Sequence, residues 1–287
     1  MTLQKIHLHN SEEMTYRVRE GGEKVIILVH GNMTSSFHWD VLIDSLDEMY
    51  KIYAIDLRGF GGSTYHNRVT SIKDFSDDLK QFVDALNLDN FSLVGWSTGG
   101  AVSMQFAADY PHCCDKIVLL ASASTRGYPM ISTKTNERLK TITGIEQDAK
   151  TIGMQTLYDE KNYAGLRKVW NAVIYTHNQP EEARYQMYLE DMTTQRNIAD
   201  VYHALNTFNI SAHHNGLVSG TNEIKNIHIP ILVLYGDHDY VVTKEMTEEI
   251  VEDLGDCAQL VILQNVGHSP LIDDLPQLKT VIENFIR

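Results

Sequence analysis

Along the first 124 residues, short apolar runs alternate with longer segments whose apolar positions recur every three or four residues. The segments QKIHLHN and MTYRVRE alternate apolar and polar positions, as half-exposed strands do, and predict a hairpin. KVIILVHG is a continuous apolar run closing on glycine, which suits a strand covered on both faces. YKIYAIDLRGFGGS repeats the theme and runs into a glycine-rich turn. In TSIKDFSDDLKQFVDALNL the residues Ile72, Phe75, Leu79, Phe82, Val83 and Leu86 share one helical face. Ser71, followed three residues later by Asp74, gives that helix a capping-box start. NFSLVGWS then predicts a strand, TGGAVSMQFAADYP a helix, and DKIVLLASAS a further strand ending near Ser124. Strand and helix in steady alternation predict the α/β class, with a mostly parallel, doubly wound sheet.

The rhythm breaks at Thr125. From there to Asn222 no strand-like run occurs, and helical pieces such as NYAGLRKVWNAVIY, PEEARYQMYLEDM and NIADVYHALNTFNI take over. Pro180, opening the second of these, suits a first-turn position. The α/β rhythm then resumes with IPILVLYGDHD (strand), TKEMTEEIVEDL (helix), AQLVILQNVGH (strand) and PQLKTVIENFIR (helix). The expected organisation is one α/β core, residues 1–124 and 223–287, interrupted by a helical insertion at 125–222.

Composition narrows the field of partners. With 43% hydrophobic and 22% charged residues in 287, a packed globular chain is expected. A net charge of −14 disfavours nucleic acid or an anionic membrane surface as the main partner, since both require a basic face. No apolar stretch reaches the length of a membrane span, and the first residues lack the apolar core of a signal peptide. Cys113, Cys114 and Cys257 form no disulfide framework and read as reduced thiols of a cytoplasmic protein. Monomer and homodimer are both compatible with this reading.

In a parallel sheet, functional groups collect beyond the carboxyl ends of the strands. The residues just after the apolar runs include His30, Gly31 and Asn32, then Ser97, then Asp237 and Asp239, and finally His268. A serine hydroxyl needs a base to become a nucleophile, and histidine is the natural base near neutral pH. A carboxylate must then fix the imidazole tautomer and stabilise the imidazolium. Ser97 lies in Gly95-Trp96-Ser97-Thr98-Gly99 between an apolar strand and a helix, where glycines leave room for a sharp turn that exposes the hydroxyl. Chain order serine, acid, histidine is the one expected for such an elbow.

These features resemble the α/β-hydrolase family over about residues 1–124 and 223–287, with the helical insertion in the position of a cap. The resemblance implies that Ser97 is the nucleophile, that His268 in NVGHSP is the base, and that the acid lies in YGDHD. The spacing of that motif points to Asp239, with Asp237 as the second choice. HGN resembles the family's oxyanion loop, so the backbone N–H groups of Asn32 and Thr98 are the expected oxyanion donors. Met33, Trp96, Arg126, Tyr128 and Trp170 are the candidate pocket residues. His30 and Arg58 read as bracing groups. His213-His214 and His7-x-His9 lack the accompanying ligands of a metal site, and no cofactor is expected. The turn at Ser97 lacks the lysine of a P-loop.

HGNMTSSFHW also resembles the corresponding loop of haloalkane dehalogenases, but those carry aspartate where this chain has Ser97. GWSTGG resembles the elbows of carboxylesterases, perhydrolases and acyl-homoserine lactonases, all cofactor-free. The expected activity is hydrolysis of a carboxylic ester or lactone of a small to medium hydrophobic acyl group. Two rivals remain open at this point: a carbon–carbon hydrolase of vinylogous diketones, and a slow-turnover ligand sensor on the same fold.

Overall fold

The computed structural model describes all residues, 1–287. Eight strands, β1 (Thr2–His7), β2 (Glu13–Arg19), β3 (Lys24–Val29), β4 (Tyr50–Ile55), β5 (Phe91–Trp96), β6 (Cys114–Leu120), β7 (Ile231–Gly236) and β8 (Ala258–Leu263), form one sheet. Their spatial order is β1-β2-β4-β3-β5-β6-β7-β8. β2 runs antiparallel to both β1 and β4, and every other neighbouring pair is parallel. The helices are α1 (Asp40–Ser45), α2 (Ile72–Ala85), α3 (Thr98–Asp109), α4 (Ile142–Glu146), α5 (Ala149–Asp159), α6 (Tyr163–Val173), α7 (Glu182–Met192), α8 (Ile198–Thr207), α9 (Lys244–Leu254), α10 (Pro270–Asp273) and α11 (Leu275–Ile286).

Burial explains the apolar runs. Alternate residues of β3 and β5 feed two cores, Ile27, Val29 and Leu93 on one face of the sheet and Ile26, Leu28 and Val94 on the other. The first core is completed by α2, α3 and α9, the second by α1 and α11 together with Leu166, Trp170, Tyr185 and Tyr188 from α6 and α7. In α2 the apolar stripe Ile72, Phe75, Leu79, Phe82 and Val83 is fully sheltered. Burial of each such side chain is worth about 1.5–3 kcal/mol. The capping box is present, with Asp74 Oδ2 accepting the Ser71 N–H at 3.0 Å. β8 is the outer strand, and its Leu260 and Ile262 remain partly exposed.

Two local expectations shift. The strand expected to reach Ser124 ends at Leu120, because Ala121 turns the chain at φ +44°. Pro180 precedes α7, whose N-cap is Glu181. The short helices α1 and α4, of 6 and 5 residues, carry too few turns to show a periodic stripe.

Register decides where the connecting loops leave the sheet. Val29 lies opposite Gly95, Gly95 opposite Leu119, and Leu119 opposite Val233, so the strand ends are level. The residues leaving β3, β5 and β7 therefore emerge along one edge.

Candidate active site

Ser97 joins β5 directly to α3 and adopts φ +54° and ψ −113°, a conformation uncommon for a residue with a side chain. Surrounding bonds hold it there. Its N–H donates to Leu120 O at 2.9 Å, and its carbonyl accepts from Gly100 N–H at 3.0 Å and Ala123 N–H at 3.2 Å. The flanking glycines are obligatory on space alone. A Cβ on Gly95 would lie 2.4 Å from Gly99 O, and one on Gly99 would lie 2.0 Å from Val29 O. Because α3 starts at Thr98, the helix points the positive end of its dipole at the serine.

The expected base and acid arrive on the loops that follow β8 and β7. His268 Nδ1 lies 2.9 Å from Asp239 Oδ2, and both side chains are buried. The other carboxylate oxygen accepts the N–H groups of Val241 at 2.7 Å and Val242 at 3.0 Å, which fix the orientation of the carboxylate. An ionised Asp239 selects the tautomer with the proton on Nδ1, leaving Nε2 as the basic nitrogen. Trp96 Nε1 donates to the His268 carbonyl at 2.9 Å, so the residue before Ser97 fastens the loop carrying the imidazole. Asp237 instead closes the turn, accepting from Val266 N–H at 3.1 Å and pairing with His238 Nδ1 at 2.8 Å.

The HGN loop is held from beneath. His30 Nδ1–H donates to Gly31 O at 2.7 Å, and Nε2 accepts the Leu57 N–H at 3.0 Å. A ring that accepts at Nε2 is neutral, and burial pushes its pKa down to about 4. Thr34 Oγ1 donates to the same Gly31 carbonyl at 2.9 Å. In a trans peptide the N–H points away from the C=O, so fixing Gly31 O also fixes the direction of the Asn32 N–H. Gly31 itself abuts the serine, and a Cβ there would lie 3.1 Å from Ser97 Cβ. The Asn32 N–H has no acceptor within the protein, and the Thr98 N–H opens the first turn of α3.

The candidate pocket residues part company. Met33 follows Asn32 at φ +63°, half-buried. Tyr128 is half-buried, and burial together with the nearby Asp239 carboxylate raises its pKa. Trp96 is 2% exposed and braces the His268 loop. Trp170 is packed against His38 and Tyr175. Arg126 does not join the group. Its guanidinium turns to α9, where it pairs with Glu252 at 2.7 Å and Asp253 at 2.9 Å, because three carboxylates there outcompete any position facing the serine.

One residue near the site carries no motif. Gln195, from the loop between α7 and α8, accepts the Met33 N–H at 3.1 Å and donates to Asn32 Oδ1 at 2.8 Å. No group of three or more His, Cys, Asp or Glu side chains is placed to hold a metal ion, and no helix is long and apolar enough to cross a membrane.

Comparison with known proteins agrees with this architecture. The chain is 22% identical over 271 residues to a 2-hydroxy-6-oxononadienedioate/2-hydroxy-6-oxononatrienedioate hydrolase of Pseudomonas sp, covering 92% of this chain and 88% of that one. An esterase from Exiguobacterium antarcticum superposes with a TM-score of 0.76 at 14% identity, covering 99% of each chain. The enol-lactonase of Burkholderia xenovorans LB400 superposes with a TM-score of 0.73 at 20% identity, again covering 99% of each. Residues 24–275 match the family described as the alpha/beta hydrolase fold. The eight-stranded sheet, the serine elbow on β5 and this match across most of the chain lead to one conclusion: the protein belongs to the α/β-hydrolase family.

Proposed function

We propose that this hydrolase cleaves a carboxylic ester or lactone by acyl transfer through Ser97. The observation that carries the reading is the buried His268–Asp239 pair, 2.9 Å apart, fastened by Trp96 to the elbow that presents Ser97. His268 Nε2 removes the Ser97 proton as Oγ attacks the substrate carbonyl, and Asp239 stabilises the imidazolium that forms. The oxyanion is received by the N–H groups of Asn32 and Thr98. Collapse releases the alcohol, which takes the proton from His268, and leaves an acyl-enzyme. Water, activated by the same imidazole, then frees the acid. In a lactone the released alcohol stays tethered to the acyl chain.

The helices of 125–222 are taken as a cap over this edge, and the half-buried Met33 and Tyr128 favour a small to medium hydrophobic acyl group. The ester or lactone reading is preferred to carbon–carbon cleavage of a dicarboxylate because Arg126, the cation at the start of the helical insertion, is paired with α9 and so is not free to receive a second substrate carboxylate.

The test is pH-stat hydrolysis of acyl-homoserine lactones beside p-nitrophenyl esters of increasing chain length, each rate taken as wild type minus Ser97→Ala. Ser97→Ala should lower kcat by a factor on the order of 10⁶ while the protein stays folded. Multiple turnover with either series supports the reading. Near-wild-type activity in Ser97→Ala would overturn the nucleophile, and ligand-dependent stabilisation without turnover would favour a sensor.

A further inference from the structure

The geometry assigns to Gln195 a positioning role: one cap side chain holds the oxyanion loop in its working shape and makes that shape depend on the cap being seated. This role rests on the proposed function, in which the Asn32 N–H receives the oxyanion.

The core fixes the Gly31–Asn32 peptide from one side only, through His30 and Thr34 on the Gly31 carbonyl. The next peptide is left to Gln195. Its Oε1 takes the Met33 N–H at 3.1 Å, and its Nε2 binds Asn32 Oδ1 at 2.8 Å. Both atoms of a single planar amide thus span two consecutive residues of the loop. Met33 sits at φ +63°, a region a non-glycine side chain occupies only when its surroundings enforce it. Engaging the Met33 N–H also removes a neighbouring donor that would otherwise compete with Asn32 for the oxyanion.

Gln195 is itself immobilised. It is 4% exposed, its Nε2 also donates to Asn197 Oδ1 at 3.0 Å, and Asn197 Nδ2 is bonded to Arg58 O at 2.8 Å. The cap therefore reaches the core through a rigid amide pair. A second strap lies alongside, from Ser35 Oγ to Asp191 Oδ1 at 2.8 Å. If the cap lifts, the Gln195 bonds to Asn32 and Met33 part, and the loop loses one of its two supports. A closed cap thereby becomes a condition for transition-state stabilisation as well as for substrate enclosure.

The experiment compares the full-length wild type with Gln195→Met, which fills a similar volume without either bond, and with Arg196→Met. The Arg196 guanidinium bonds Thr194 O within the same cap loop and Ser63 O in the core, but it does not touch the oxyanion loop. With p-nitrophenyl butyrate, Gln195→Met should lower kcat about tenfold to a hundredfold, below the full loss of an oxyanion donor, with KM changed less than about threefold. Inhibition by phenylboronic acid, a tetrahedral mimic, should weaken by the same factor as kcat. Amide hydrogen exchange across residues 31–36 should accelerate in Gln195→Met and stay unchanged in Arg196→Met. Wild-type kcat in Gln195→Met, an equal loss in Arg196→Met, or unchanged exchange across 31–36 would overturn the inference. Absence of Ser97-dependent hydrolysis in the wild type would instead remove the proposed function, and the exchange arm alone would then decide whether Gln195 holds the loop.

Discussion

His30 offers a quantitative test of how the loop is supported. In the folded protein its ring donates through Nδ1–H to Gly31 O and accepts the Leu57 N–H at Nε2, so protonation at Nε2 destroys a bond and buries a charge. Burial lowers its pKa from 6.5 to about 4. In the unfolded chain the ring regains its ordinary value. Between these values the unfolded state binds a proton that the native state does not, so acidification favours unfolding. The contribution is fully present above pH 6.5 and is lost progressively as pH falls to about 4. At about 1.4 kcal/mol per pKa unit, the difference amounts to about 3 kcal/mol. Urea unfolding between pH 7.5 and 4, for wild type and for the non-titrating His30→Asn, isolates the effect by subtraction. The wild type should lose about 3 kcal/mol more than the variant across that window. Parallel stability curves, or an NMR midpoint for the His30 ring near 6.5, would contradict this account.

Three further outcomes are expected. Asp239→Asn should lower kcat by roughly 10³ to 10⁴ by favouring the wrong imidazole tautomer, whereas Asp237→Asn should stay within about tenfold of wild type; steady-state kinetics that reversed the order would exchange the two roles. Gly99→Ala should destabilise by about 3 kcal/mol or more, because its methyl would meet two backbone carbonyls, and a Tm equal to wild type would show that β3 can move away from the elbow. Gly153→Ala in α5, where an added Cβ meets nothing within 4 Å, should instead stabilise by about 0.5–1 kcal/mol in a thermal melt.

The parts legible in the sequence are those whose signal is local. The strands announce themselves as apolar runs, and Ser97, Asp239 and His268 lie just beyond three of them, so topology alone brings them to one edge. Asp239 could be preferred to Asp237 by motif spacing, but the reason is tertiary: one carboxylate meets His268 and the other meets Val266. Arg126 misled because a cation at the start of the helical segment gives no hint of the carboxylates waiting on α9, more than 100 residues later. Gln195 left no trace for the same reason. It is one polar residue among five in TTQRN, and its partner Asn32 is 163 positions away. Side chains that act across such distances follow no periodicity, and only the folded chain assembles them.

The Trp96–His268 bond joins residues 172 positions apart, which has a consequence for synthesis. The ribosome delivers the serine elbow first, at the end of a central strand, and the imidazole much later, on the loop after the outer strand β8. At about 5–20 residues per second, the gap lasts roughly 10–35 seconds. Throughout that interval the nascent chain carries Ser97 without its proposed base. Under the proposed mechanism, acyl transfer begins only once the loop after β8 has carried His268 to Asp239 and Trp96.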